Sequence, residues 1–374
     1  MRVLFLSVTA GEGHNATARS QADYFESQGH ECVILNTLKY ISPLVAGTLD
    51  KGYIAMSRMT PKSLGTVYNS GLKNSMRYVR AKVKSVDEIY GPLSVKKLGS
   101  YIKKIQPDVI ICTHVFSAIL VSYARKKGAV DSSVPVFGIV TDFTIHPFWE
   151  QAMVDYYVTA SSALTYQAAK RSIPEGKLLP FGIPIHPKFT TQMSKAAARA
   201  ALGLKDKPTI LVMRGSFGFG KLTRDIQLLD QMPMDVQVLV VCGSNERTRK
   251  KLELIKYEKD IHIYGFVNNI EQLMDAADIA VTKPGGLTTS ECLARRLPMV
   301  LMSPIPGVED RNLMFFLNHG LALWADEINT TVDEVCMLLL QDHALRENLI
   351  KRSAEFGKPY AAKDLANFIL DLLH

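Results

Sequence analysis

The chain opens on an apolar run, Arg2 to Val8, which meets a Gly-Glu-Gly turn and then a helix-like segment reaching Gln28, with a second apolar run at Cys32 to Leu35. That order of elements predicts a βαβ start. Runs at Asp108 to Cys112 and Val134 to Val140 are rich in Val and Ile and do not alternate, as in parallel strands covered by helices on both faces. Shorter runs at Val154 to Val158 and Lys177 to Pro180 extend the same sheet. After Phe181 to Pro187 (FGIPIHP) and a polar, Ala-rich stretch from Thr190 to Lys207, the rhythm restarts. Thr209 to Met213, Val236 to Cys242, Ile261 to Tyr264, Ile279 to Thr282, Met299 to Met302 and Leu321 to Trp324 read as strands with helical segments between them. The repetition predicts two doubly wound α/β domains, or two halves of one continuous sheet. The last segment, Ala361 to Leu373, has amphipathic helical spacing.

Between about Tyr40 and Lys104 the pattern breaks into apolar, aromatic, Gly and basic residues too long for a tight αβ connection, which marks an insertion. Composition sharpens this picture. The 374 residues are 47% hydrophobic and 21% charged, enough for folded cores, and the net charge is +8. Residues 51–104 alone hold twelve Lys or Arg against Asp87 and Glu88, so the positive excess is local. Lys51, Arg58, Lys62, Lys73, Arg77, Arg80, Lys82 and Lys84 are interleaved with Tyr53, Met56, Met59, Tyr68 and Met76. That is either a basic amphipathic element for an anionic surface or a solvated face over an internal packing stripe. Five scattered cysteines without a CxxC give neither a disulfide framework nor a clustered zinc site. No run approaches the roughly 18–20 apolar residues that a bilayer span needs, and the first apolar run reads as a buried strand and not a secretory leader.

Candidate chemistry sits where strands run into helices. Gly11-Glu12-Gly13-His14 follows the first strand, where helix-end N–H groups can receive an anion and His14 can act as a base or as a structural helix-end residue. It lacks the GxGxxG dinucleotide pattern and the Walker Lys-Ser pair. Thr141 to Trp149 (TDFTIHPFW) puts Asp142 and His146 just past a strongly apolar strand, either as an acid paired with an imidazole or as a cap and a packed ring. In the second half, Gly215 to Lys221 (GSFGFGK) can wrap a phosphate or form a plain turn. Thr282 to Glu291 (TKPGGLTTSE) joins a strand to a helix whose first turn offers anion donors, with Glu291 one turn further on, placed to accept ribose hydroxyls. Pro304 to Asn312 (PIPGVEDRN) offers acids and an amide for sugar hydroxyls, with cap and turn chemistry as the alternative for Glu309 and Asp310.

Taken in this order and spacing, GEGHNATA, TDFTIHPFW, GSFGFGK, TKPGGLTTSE and PIPGVEDRN resemble the diacylglycerol glycosyltransferase family over nearly the whole chain. That family includes plant monogalactosyldiacylglycerol synthases and bacterial processive diacylglycerol glucosyltransferases, with a more distant resemblance to the peptidoglycan lipid-linked glycosyltransferase, and is like glycosyltransferase family 28. The resemblance implies an α/β GT-B fold of two facing Rossmann-like domains with an inter-domain cleft. It implies an N-terminal lipid-acceptor and membrane-contact domain over 1–188, a linker over 189–206, a UDP-sugar-binding domain over 207–360, and a C-terminal helix over 361–374 that crosses to the first domain.

Carried onto this chain, the resemblance makes His14, Asp142 and His146 the catalytic candidates. Donor binding falls to Gly13, Ser216, Gly218, Phe266, Val267, Gly286, Thr288, Thr289, Glu291, Glu309, Asp310 and Asn312. Val308 stands where the family commonly has a glutamine, which removes a polar partner for the sugar. Tyr53, Met56, Arg77, Arg80, Lys82 and Lys84 are the membrane-contact candidates. The implied activity is inverting transfer of a hexose, glucose ahead of galactose, from a UDP-sugar to diacylglycerol or glycosyldiacylglycerol, in one or several additions. The absence of a DxD triplet agrees with a reaction that needs no metal or other cofactor. The implied place is the cytoplasmic face of the cell membrane, held peripherally at an anionic surface, with no nucleic-acid partner. A polyprenyl-linked acceptor and a non-enzymatic UDP-sugar or lipid sensor are the alternatives.

Overall fold

Among the described residues of the first half, six strands form a wholly parallel sheet joined through five α-helices: β1 (Arg2–Ser7), α1 (Gly13–Ser27), β2 (Glu31–Asn36), α2 (Thr37–Ile41), α3 (Pro92–Ile105), β3 (Val109–Cys112), α4 (Val115–Lys126), β4 (Val136–Ile139), β5 (Tyr156–Val158), α5 (Thr165–Ala169) and β6 (Leu178–Leu179). The computed structural model describes residues 1–9, 12–41, 91–214, 222–305 and 309–373. Every residue of β3 and β4 is buried, as uninterrupted Val/Ile runs require when helices cover both faces. The strand order is β2-β1-β3-β4-β5-β6. The edge strand β2 is only half buried and carries Glu31 and Asn36 at its ends, a composition that discourages pairing with another chain. Inside, Phe25 of α1 lies against Phe5 of β1 at 6.4 Å between ring centroids, and both are fully buried. Each such ring contributes roughly 2–3 kcal/mol by burial.

The second half repeats the plan with α6 (Lys195–Ala201), β7 (Thr209–Met213), α7 (Leu222–Asp230), β8 (Gln237–Val241), α8 (Glu246–Glu253), β9 (Asp260–Tyr264), α9 (Ile270–Ala276), β10 (Ile279–Thr282), α10 (Gly286–Ala294), β11 (Met299–Met302), α11 (Asp310–Asn318), β12 (Ala322–Ala325), α12 (Val332–Gln341), α13 (His343–Phe356) and α14 (Ala361–Leu373). Its parallel order, β12-β11-β10-β7-β8-β9, is the Rossmann order read from the other side. The core is the buried aliphatic layer of Ile210, Val212, Val238, Val240, Ile279, Val281 and Val300, covered by Ile226 and Leu229 of α7 and Val335 and Leu339 of α12. Helix α12 starts on a capping box in which Thr331 and Glu334 satisfy each other's backbone N–H groups.

The twelve expected strands are present within two residues of their predicted ends, and they form two separate sheets, so the single-sheet alternative is excluded. The chain divides into two units: residues 1–141 with 145–180, and residues 142–144 with 181–374. Three residues after β4 therefore belong to the second unit. Helix α14 belongs there too, with Phe368 against Phe181 at 5.8 Å.

One glycine fixes how the segment after β4 is seated. A Cβ on Gly138 would lie 2.6 Å from Cζ3 of the buried Trp149. Trp149 ends the segment that holds Asp142 and His146, and its ring rests directly on the β4 backbone. Gly138→Ala is expected to lower stability by about 1–3 kcal/mol through overpacking, read as a lower thermal midpoint. An unchanged midpoint would mean that the ring moves aside without cost.

Candidate active site

Each sheet has one place where the strand order reverses, and there the loops leaving two adjacent strands diverge and open a crevice at the carboxyl edge. In the first unit this place lies between β1 and β3. The loop after β1 leads to His14, and the loop after β3 supplies Thr113 and His114. His14 Nδ1 lies 2.8 Å from the Thr113 carbonyl and 2.9 Å from Thr141 Oγ1. A carbonyl only accepts, so Nδ1 carries the proton and Nε2 holds the lone pair. The loop itself is buttressed from below, since Ser7 Oγ donates to Asn15 Oδ1 at 2.7 Å and both Asn15 and Asn36 donate to Thr9 Oγ1. Gly13 is the first residue of α1 and faces open space where a side chain would stand.

His114 completes a histidine cluster. Its ring meets that of His14 edge to face at 4.5 Å, and its Nδ1 accepts the Phe116 N–H at 3.1 Å to cap α4. Burial, reinforced by the nearby His14 and His146, holds this imidazole well below its usual range, so it is neutral and can serve as that cap. His146 does the same for the short 3-10 turn Pro147–Gln151, accepting from Phe148 N at 3.2 Å. Phe116 and Phe148, at 5.9 Å, pack the two capped turns together. Sequence reasoning overlooked His114. The signal was there, an apolar strand ending in Thr-His before a helix, the same pattern that drew attention to Asp142.

In the second unit the reversal lies between β7 and β10. The Gly215–Lys221 stretch after β7, with Ser216 and Gly218, is outside the described residues, as are Val308 and the basic candidates Tyr53, Met56, Arg77, Arg80, Lys82 and Lys84. After β10, Lys283-Pro284-Gly285 leads into α10, whose first three N–H groups, on Gly286, Leu287 and Thr288, have no carbonyl within the helix to bond. Thr289 differs from Thr288, because its N–H and its hydroxyl both bond Gly285 O, at 3.1 and 2.7 Å. Glu291 lies in the second turn. Burial pushes its carboxyl up to about 8, a shift that Lys188 opposes and Glu271 adds to. Lys188 is itself held by the Asn268 carbonyl at 2.7 Å and Glu271 at 2.8 Å. Phe266, just past β9 and 73% exposed, and the half-buried Val267 stand at the same carboxyl edge of the sheet.

Glu309 and Asn312 are both buried and face inward. Glu309 Oε1 lies 3.3 Å from Lys283 Nζ, and Oε2 accepts the Ile305 N–H at 2.8 Å. Burial raises its pKa, Lys283 and the Ile305 N–H oppose the rise, and Asp142 adds to it. Asn312 is fully buried. Its Oδ1 accepts from Phe143 N at 2.9 Å, and its Nδ2 donates to Asp142 Oδ1 at 2.9 Å and to the Pro284 carbonyl at 3.0 Å. These bonds hold residues 142–143 against the loop before α10 within the second unit. Asp310, half buried, is the first residue of α11. Among the described residues no group of three His, Cys, Asp or Glu is placed to hold a metal ion, and no helix is long and apolar enough to cross a membrane.

Two Rossmann-like units with these strand orders define a glycosyltransferase fold of the GT-B class. The fold is shared with the crystal structure of Acinetobacter baumannii MurG, at a TM-score of 0.61 and 15% identity over 99% of each chain. Residues 14–185 match the monogalactosyldiacylglycerol (MGDG) synthase family, and residues 209–367 match the glycosyltransferase family 28 C-terminal domain. A processive diacylglycerol beta-glucosyltransferase of Bacillus mycoides is 30% identical over 86% of this chain and 81% of its own length. One of Bacillus licheniformis is 29% identical over 92% of this chain and 88% of its own. The chain belongs to the diacylglycerol glucosyltransferase and monogalactosyldiacylglycerol synthase family of glycosyltransferases.

The bonds of Asn312 set a stability prediction. Asn312→Leu keeps the volume but strands the Phe143 N–H and the Pro284 carbonyl, at a cost of about 2–4 kcal/mol for two buried backbone groups. Chemical denaturation of the two proteins side by side measures it. A difference below about 0.5 kcal/mol would mean that other groups take over both bonds.

Proposed function

We propose that this protein transfers glucose from UDP-glucose to the free hydroxyl of diacylglycerol with inversion at the anomeric carbon, and extends the product to glycosyldiacylglycerols with more than one sugar. The observation that supports this reading best is that both halves of the chain carry the family's sequence, so acceptor and donor machinery come together. In this reading residues 1–188 take the lipid, residues 207–360 take the nucleotide sugar, residues 189–206 link them, and the helix over 361–374 crosses to the first domain.

His14 is the base. With Nδ1–H committed to the Thr113 carbonyl, the proton of the glycerol hydroxyl goes to Nε2. Asp142 and His146 assist on the acceptor side. The hydroxyl oxygen then attacks the anomeric carbon from the face opposite the leaving diphosphate, and the C–O bond to UDP breaks as the new one forms. The configuration inverts in a single displacement, with no covalent sugar intermediate. Charge growing on the diphosphate is received by the orphan N–H groups at Gly286 to Thr288, where the positive end of α10 adds its dipole. Ser216 and Gly218 join from the Gly-rich stretch and Thr289 supports the helix start. Glu291 takes the ribose hydroxyls, the backbone at Phe266 and Val267 meets the uracil, Gly13 leaves room beside the reacting groups, and Glu309, Asp310 and Asn312 border the sugar.

The protein works at the cytoplasmic face of the cell membrane, held at an anionic surface. Lys and Arg of the basic insertion, Arg77, Arg80, Lys82 and Lys84 among them, sit at phosphate depth, with Tyr53 and Met56 as apolar anchors.

Mass-resolved product analysis with diacylglycerol in anionic vesicles tests the reading. A hexosyl-diacylglycerol formed from UDP-glucose is expected, and His14→Ala should slow its formation by roughly 10²–10⁴-fold in protein that still binds UDP. No product from UDP-glucose or UDP-galactose, in folded protein, would overturn it. A product formed only on a polyprenyl-linked acceptor would move the chain to that substrate class.

A further inference from the structure

The second unit contains a buried polar network that none of the roles above uses. Arg214 follows β7 directly and is 1% exposed, the largest fully buried side chain of the described residues. Its guanidinium donates to the carboxylate of Asp225 in α7, itself 3% exposed, and to Ser303 Oγ at 2.8 Å, and lies 3.3 Å from Met302 Sδ. Ser303 follows β11, and its own hydroxyl proton goes to Glu327, just after β12. Ser303 and Glu327 both hold left-handed backbone, at φ 44° and 64°, which non-glycine residues adopt at a cost.

The topology gives these contacts their meaning. In the sheet order, β10 lies between β11 and β7. A single guanidinium therefore reaches from the carboxyl end of β7, past β10, to the carboxyl end of β11, and Ser303 passes the connection on to β12. The loop that leaves β10 between these tied ends is Lys283-Pro284-Gly285, the entrance to α10. Packing alone does not call for such a network. A buried ion pair loses its hydration, and apolar residues of similar volume usually serve stability as well or better. Asp225 shows that cost directly, since burial pushes its carboxyl up to about 6 even though Arg214 is bonded to it. What charged, directional bonds supply and apolar packing does not is a single relative position for the groups they join.

We propose that Arg214, Asp225, Ser303 and Glu327 form a positioning network that holds the ends of β7, β11 and β12 so that the start of α10 between them is set in advance for the diphosphate of the nucleotide. This rests on the donor role assigned above to the second unit. The four residues are positioning residues and touch no substrate in this account.

Ser303→Ala leaves the Arg214–Asp225 pair and the Met302 contact intact and cuts only the connection that runs through Ser303 to Glu327. Calorimetric titration with UDP should show affinity about 10-fold weaker, which corresponds to about 1.4 kcal/mol. The KM for the nucleotide sugar should rise by a similar factor while the KM for the lipid stays within about two-fold. A merely structural defect would instead lower the active fraction, and with it kcat, without moving either KM. The double variant Arg214→Met with Asp225→Leu should melt near the wild-type temperature and weaken UDP at least as much. If it does not fold, Ser303→Ala decides alone. Wild-type protein that binds UDP, with a folded Ser303→Ala variant binding it equally well, overturns the network's role and leaves the donor reading standing. Wild-type protein that does not bind UDP overturns both.

Discussion

The single reversal of strand order in each sheet is the constraint on which the rest of the structure depends. Parallel strands joined through helices send every strand-to-helix loop to one edge, and only at the reversal do neighbouring loops part and leave room for a ligand. In the first unit the parted loops carry His14 and the Thr113–His114 pair, and in the second they carry Arg214 and Lys283 to Gly286. His14, Thr113, His114 and the start of α10 sit on these loops, whereas Asp142 and His146 follow β4, Phe266 and Val267 follow β9, and Glu309 to Asn312 follow β11.

Placing polar groups at such an edge means burying some of them, and the protein answers with internal bonds. Asn312 uses its whole amide on Asp142, Phe143 and Pro284. Glu309 is committed to Lys283 and Ile305 N, and Arg214 to Asp225 and Ser303. Thr113 sets the tautomer of His14 in the same manner. These described side chains are bonded before any substrate arrives, the condition under which fixed dipoles stabilise developing charge without reorganising. Glu291 is the exception. Burial raises its carboxyl to about 8, with Lys188 opposing the rise.

Strands were legible in the sequence because parallel, doubly covered strands are uninterrupted runs of Val, Ile and Leu, and β3, β4 and β7 are buried at every position. The reversal points were not legible, because strand order is set by tertiary pairing and leaves no mark on any one strand. For that reason His114 was missed beside His14, and Arg214, just past β7, was not singled out. Asn312 was legible as a polar residue in a sugar-facing stretch, but the direction of its amide depends on residues 142–143, some 170 positions away in sequence. The motifs themselves were readable as loops after strands, since glycine, proline and hydroxyl residues at a strand end signal a turn and a helix start whatever the ligand.

The central claim is that the second unit holds the nucleotide, with Glu291 on its ribose. Calorimetric titration of UDP-glucose at pH 7, in two buffers of different ionisation enthalpy, tests it most directly, because the diphosphate of this ligand does not itself titrate near that pH. Burial raises the Glu291 carboxyl to about 8 in the free protein, and two ribose hydroxyl bonds to its carboxylate favour loss of the proton on binding. The account predicts release of close to one proton per UDP-glucose, since a group about one unit above the working pH is roughly nine-tenths protonated beforehand, and no release in Glu291→Gln. Binding with the same enthalpy in both buffers would contradict it.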